Sequence, residues 1–107
     1  MPKGFFIAGT DTGVGKTWFT TSLLRLLRKT GADAIGIKPI ECGGSDDGEA
    51  ILAEMEGTGL TLDAVGPLIL PEPLAPAAMD PVPEIDLAHL ARHVHETAAD
   101  HDLVLVE

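Results

Sequence analysis

Two residue classes are scarce in this sequence, and each scarcity closes off a kind of function. Cysteine occurs once, at Cys42. No internal disulfide and no cysteine-built zinc site can form, and a reducing compartment fits. Lys and Arg number seven against seventeen Asp and Glu, giving a net charge of −10 with no long basic stretch. That argues against a nucleic-acid backbone as partner. No apolar run approaches the roughly 20 residues that cross a bilayer. The opening MPKGFFIAGTD turns polar too soon for a secretory leader. The expectation is a cytoplasmic protein with neither membrane nor nucleic acid as partner. Internal repeats and low-complexity tracts are also lacking. Apolar residues are plentiful, at 45% of the chain. That is enough to bury a core, and 107 residues is the length of one small domain.

Residues 4–10, GFFIAGT, read as a buried strand. From Lys16 to Lys29, apolar residues fall near helical spacing, with Arg25, Arg28 and Lys29 late, where cations suit a helix C-terminus, and Gly31 beyond. Residues 33–39 read as a second strand ended by Pro39. Residues 41–48 read as a loop and 49–57 as a short helix. Residues 67–84 hold most of the eight prolines and read as an ordered loop that starts with a brief strand, Leu68 to Leu70. Asp86 caps a helix running to about Ala99, and LVLVE (103–107) reads as a buried strand. The alternation predicts an α/β domain, residues 1–107, with a parallel sheet flanked by helices. The strands are continuously apolar, so they are expected to be covered on both faces.

A strand, then GTDTGVGKT (9–17), then a helix is the setting of a phosphate-binding loop. Successive backbone amides form a nest for anions, and the helix N-terminus adds partial positive charge. Gly13 and Gly15 let the backbone turn tightly against oxygens. Lys16 can reach β- and γ-phosphates, and the Thr17 hydroxyl can ligate Mg²⁺. The first glycine stands one residue earlier than the common G-x-x-x-x-G-K-[ST] spacing allows. In a parallel sheet the C-terminal strand ends share one edge, where ligands bind. That edge brings Lys38, from KPIECG (38–43), beside the loop. Asp46 and Asp47 follow in a Gly-rich segment, where helix capping is the plain alternative. Glu107 ends an apolar strand in the manner of a Walker-B acid. Two carboxylates, a hydroxyl and phosphate oxygens make a Mg²⁺ environment. His89 and His93 share the i, i+4 spacing of a metal pair but have no third ligand in reach, so they read as structural or surface histidines. His95 and His101 read as solvated, and Trp18 as packed in a core or interface.

These residues resemble dethiobiotin synthetase, the ATP-dependent carboligase family of biotin synthesis. The family loop G-T-D-T-x-V-G-K-T matches Gly9 through Thr17. The block K-P-[VI]-x-[ST]-G matches Lys38 through Gly43, with Cys42 at the hydroxyl position. Glu72 to Pro76 resembles a substrate-side loop, and Asp102 to Glu107 the strand before a G-A-G-G turn. The resemblance implies a P-loop NTPase-like fold and ATP with Mg²⁺. Its substrates would be 7,8-diaminopelargonate and CO₂ or bicarbonate. The substrate is carbamated, the carbamate is phosphorylated, and the second amine closes the ureido ring. It places Asp11, Thr12, Gly13, Val14, Gly15, Lys16 and Thr17 on the nucleotide. Lys16, Lys38 and Thr12 would be catalytic, Thr17, Asp47 and Glu107 would hold the metal, and Lys38 and Cys42 would face the substrate. It also implies a homodimer and a chain about twice as long, so this one is expected to be the first part of a larger domain and inactive alone. Two other readings remain: a related ATPase of the partitioning or cobyrinate-synthase type, and an inactive nucleotide-binding fragment. The former usually carries a second lysine within the loop, near Thr10 to Thr12, and none is present.

Overall fold

A computed structural model of the chain describes residues 3–9 and 15–107. Within them lie strand β1 (Lys3–Phe6), helix α1 (Lys16–Lys29), β2 (Ala34–Ile37), β3 (Ile40–Cys42), α2 (Asp46–Ala53), α3 (Leu62–Val65), β4 (Leu68–Leu70), α4 (Leu87–Ala98) and β5 (Leu103–Val106). A turn of 3₁₀ helix covers Pro76–Ala78.

The strands form two parallel sheets rather than one. The larger has the order β1-β5-β2, with Phe6 and Ile37 both opposite Val106. The last strand is therefore the central one. The smaller sheet pairs β3 with β4, Ile40 opposite Leu68 and Cys42 opposite Leu70. The chain leaves the larger sheet after Ile37. The Lys38 amide turns to donate to Val65 O at 2.8 Å, and Pro39 has no amide to continue the ladder. The segment read as loop from residue 41 thus begins inside a strand. Three residues with a glutamate at their centre carry little strand signal, and their partner lies far along the chain.

Two other expectations are corrected. β1 is not covered on both faces: all four of its residues are exposed, Phe6 by 74%. It is an edge strand, whereas Val104 and Leu105 of β5 and all of β2 are buried. Helix α2 starts at Asp46, three residues before the expected Glu49, and ends at Ala53 rather than near Gly57. α3 was not anticipated; it is only four residues, with Thr61 accepting at its start from the Ala64 amide. α1 and α4 fall where the periodicity puts them. Gly31, at φ 90°, closes α1 in a Schellman arrangement, its amide on Arg28 O and that of Ala32 on Leu27 O. Asp86 caps α4 by accepting from the His89 amide at 3.0 Å.

The core gathers Leu24 of α1, Ile35 and Ile37 of β2, Ile51 of α2, Met55, Val65 and Leu105. Gly36 is what lets α1 and α2 lie this close to β2. A Cβ there would stand 2.6 Å from Ile51 Cγ2 and 3.3 Å from Leu24 Cδ2. The Ile51 methyl sits on a stiff branched carbon and cannot swing away. Gly36→Ala is expected to lower stability by about 1–3 kcal/mol through overpacking, measured by urea denaturation.

Candidate functional site: a lysine between two carboxylates

The C-terminal ends of β2 and β5 and the start of α1 converge. Gly15, at φ 84°, is the N-cap of α1, a left-handed conformation that glycine adopts without strain. Lys16 and Thr17 follow as the first two helical residues. Glu107 directly continues the central strand, held by its amide donating to Ile37 O at 3.0 Å. Its side chain is 1% exposed.

Glu107 Oε1 accepts from the Thr17 hydroxyl at 2.6 Å and from Lys38 Nζ at 3.2 Å. Lys38 Nζ also donates to Asp47 Oδ2 at 2.8 Å. The ammonium thus bridges a buried carboxylate and a partly open one, Asp47 being 39% exposed at its side chain. Burial pulls the Lys38 pKa down. The hydrogen bond to Asp47, the charge and hydrogen bond of Glu107 and the charge of Asp47 outweigh that, and hold the group above the ordinary lysine range. Glu107 Oε2 is different. It is buried and has no hydrogen-bond partner among the described residues. Buried carboxylate oxygens are rarely left so, because desolvation is costly when nothing replaces water. A cation is the ligand that such an oxygen, with a second carboxylate and a hydroxyl beside it, would take.

Two clefts meet here. The smaller, about 180 Å³, is lined by Gly15, Lys16, Thr17, Trp18, Lys38, Asp47 and Glu107. The larger, about 540 Å³, runs from Lys38 and Asp47 past Glu41, Cys42 and Gly43 to Pro73 and Leu74. Lys38 and Asp47 form the wall they share. The structure therefore brings together Gly15, Lys16, Thr17, Lys38, Asp47 and Glu107, and puts Cys42 on the other side of that wall. Asp11, Thr12, Gly13 and Val14 lie outside the described residues. Asp46 and Asp47 are not loop residues: they open α2, and Asp47 is the one facing Lys38.

Several side readings are also resolved. Trp18 is in no core; it is 73% exposed at the rim of the smaller cleft. His93 Nε2 lies 2.8 Å from Ala64 O, tying α4 to α3, the structural role expected of it. His101 is half-buried, its Nδ1 2.8 Å from Asp33 Oδ1, rather than solvated. Among the described residues no three His, Cys, Asp or Glu side chains gather as a metal cluster. The cleft offers two acids and a hydroxyl instead. No helix among them is long and apolar enough to cross a membrane.

Glu41 was read only as part of KPIECG. It is 6% exposed, and it accepts from the amides of Asp47 and Gly48. The signal for it is an acid flanked by apolar residues on a short segment, with a helix that starts five residues on and bears a glycine in its first turn.

The family model described as an AAA domain matches residues 3–107. Among curated proteins, the chain is 39% identical over 110 residues to the ATP-dependent dethiobiotin synthetase BioD of Anaeromyxobacter dehalogenans (strain 2CP-C), covering 98% of this chain and 49% of that one. It is 39% identical over 111 residues to the protein of the same name from Bacillus licheniformis, covering 98% and 47%. Against that of Akkermansia muciniphila it is 35% identical over 107 residues, covering 98% and 50%. The chain spans about half the length of the curated relatives it matches. A parallel sheet flanked by helices, with a lysine and threonine opening the helix after the first strand, is P-loop NTPase-like. The chain belongs to the AAA domain family, and it resembles the dethiobiotin synthetases along its described and matched length.

Proposed function

We propose that this chain forms the phosphate- and metal-binding part of an ATP- and Mg²⁺-dependent ligase that makes dethiobiotin. Its substrates are 7,8-diaminopelargonate and CO₂ or bicarbonate, joined through a phosphorylated carbamate. The observation that carries the reading is the unpartnered, buried Glu107 oxygen beside Thr17, Lys38 and Asp47, at the start of α1. The names of the relatives supply the reaction class.

In this reading Thr17, Asp47 and Glu107 hold Mg²⁺, which supplies charge neutralisation on the ATP phosphates. Lys16 and the backbone of residues 11–15 bind phosphate oxygens, and Thr12 serves the same side of the site. Lys38, on the wall between the clefts, stabilises negative charge on the carbamate and on the transferring phosphoryl group. Cys42, Pro73 and Leu74 line the wider cleft, which takes the diamine. The acid there is suited to amines: Asp46 and Asp47 lie along it, and Lys38 is the single cation among its described lining residues.

The test is a two-part assay. The purified chain is expected to bind ATP only with Mg²⁺ present, and Lys16→Ala to weaken that binding about tenfold, the worth of one charge-assisted phosphate contact. A protein of the relatives' length carrying this chain is expected to incorporate labelled bicarbonate into dethiobiotin, with release of phosphate. ATP binding that ignores both Mg²⁺ and Lys16, or no labelled product, would remove the reading.

A further inference from the structure

The N-terminus of α2 is capped from outside the helix. Ser45, its N-cap residue, makes no side-chain cap, and its hydroxyl donates to Glu49 Oε2 at 3.0 Å. Glu41, from β3, takes the first-turn amides instead. Asp47 N–H donates to Glu41 Oε2 at 2.9 Å, and Gly48 N–H to Oε1 at 2.8 Å. This carboxylate is buried, and among the described residues it forms no ion pair. What compensates its lost water is the pair of amides and the positive end of the helix.

Capping alone does not call for this arrangement. A serine or aspartate at the N-cap satisfies such amides locally. A carboxylate from another strand also adds negative charge to a first turn that already holds Asp46, Asp47 and Glu49. What a clamp from β3 adds is position. β3 is fixed by its pairing with β4, Glu41 opposite Ile69. Two hydrogen bonds to adjacent peptides then fix both the height and the rotation of the first turn of α2. Asp47 sits on the clamped peptide, and its side chain is the one that meets Lys38. Gly48 is part of the device: a Cβ there would stand 3.3 Å from Glu41 Oε1, so glycine admits the carboxylate.

We propose that Glu41 is the positioning residue for Asp47: by clamping the Asp47 and Gly48 amides to β3, it holds the Asp47 carboxylate against Lys38 and on the cleft it shares with Glu107. The inference deepens the proposed function and rests on Asp47 being a cation ligand. Outer partners that orient metal ligands typically change metal affinity 10–100-fold when removed. Gln at position 41 keeps the shape but can accept only one of the two bonds, and it turns an N–H₂ toward the other amide.

The probe is Mn²⁺, titrated into the purified chain and its variants. Two metal-free readouts accompany it: the NMR signal of the Lys38 ammonium, and amide exchange at Asp47 and Gly48. Glu41→Gln is expected to weaken Mn²⁺ binding about 10–100-fold, to speed exchange at both amides and to shift the Lys38 signal, with cooperative melting retained. Gly48→Ala is the second variant, for use if the first fails to fold. It keeps the charge at Glu41 and is expected to move the same signals the same way. If Asp47→Asn loses Mn²⁺ while Glu41→Gln keeps wild-type affinity and an unmoved Lys38 signal, Glu41 is a cap only, and the proposal is overturned with the site reading intact. If wild type binds no Mn²⁺, or Asp47→Asn binds it as wild type does, the metal reading fails. The Lys38 signal then judges Glu41 alone, and an unmoved signal overturns the proposal.

Discussion

Glu107→Gln is expected to abolish divalent-cation binding to the chain, a loss of more than about 100-fold, since it exceeds what removal of an outer partner does. The variant isolates one atom. Glu107 Oε1 already receives a hydroxyl and an ammonium proton, from Thr17 and Lys38. A glutamine carbonyl oxygen accepts both. Its N–H₂ must then occupy the place of Oε2, the buried oxygen that has no partner. Shape, volume and the hydrogen bonds from Thr17 and Lys38 survive, so the fold is expected to persist. Only the acceptor that a cation needs is replaced by a donor. Mn²⁺ titration followed by thermal melting separates the two effects. Loss of Mn²⁺ binding with cooperative melting retained, at a temperature lowered by the loss of the Glu107 charge beside Lys38, supports the assignment. Undiminished Mn²⁺ affinity in this variant would show that Oε2 serves no cation, and that the cleft is an ion-pair network only.

Which residues meet at the candidate site was more legible than the architecture that brings them together. Lys16, Thr17, Lys38 and Glu107 could be named because each stands at a strand end or a helix start. A parallel sheet sends its C-terminal strand ends to one edge whatever the strand order. Period and caps placed α1 and α4 for the same reason: their signals are local, in the spacing of Leu23, Leu24 and Leu27 and in Asp86. Strand order is not local. Nothing between residues 3 and 37 says that β5, nearly seventy residues on, will lie between β1 and β2. The exposure of Phe5 and Phe6 follows from that order and not from their own hydrophobicity. β3 and Glu41 were hidden for a related reason. A three-residue strand has no measurable period, and its acid gains meaning only when α2 arrives above it.

Lys38→Met, the second large effect, is expected to act in opposite directions on stability and on metal binding. In the wild type the ammonium forms ion pairs with both Asp47 and Glu107. Removing one partner of a buried pair typically costs 3–5 kcal/mol, and about 3 kcal/mol is expected here because water screens the Asp47 side. Two carboxylates then face one cleft without the Lys38 ammonium between them, which is the arrangement a divalent cation prefers. Two unit charges about 4 Å apart interact by about 4 kcal/mol at an effective dielectric near 20. Recovering even a third of that by removing the competing ammonium gives about tenfold tighter Mn²⁺ binding. The melting temperature of Lys38→Met is therefore expected to fall without metal, and to rise with Mn²⁺ by more than that of the wild type. The pH dependence follows from the direction of the Lys38 shift. Its folded pKa lies above the usual lysine value of about 10.4, so its contribution is complete below that value and is lost only as pH rises through the folded one. The stability gap between wild type and Lys38→Met should thus stay level from neutral pH to about pH 10 and close above it. A gap that narrows already between pH 7 and 9, or a variant that binds Mn²⁺ more weakly than wild type, would mean that Lys38 does not hold the place of a cation in this cleft. In a protein of the relatives' length the methionine variant should at the same time fail in turnover, because the charge that occupies the metal-free site is the one proposed to meet the carbamate once Mg²⁺ has taken over its carboxylates.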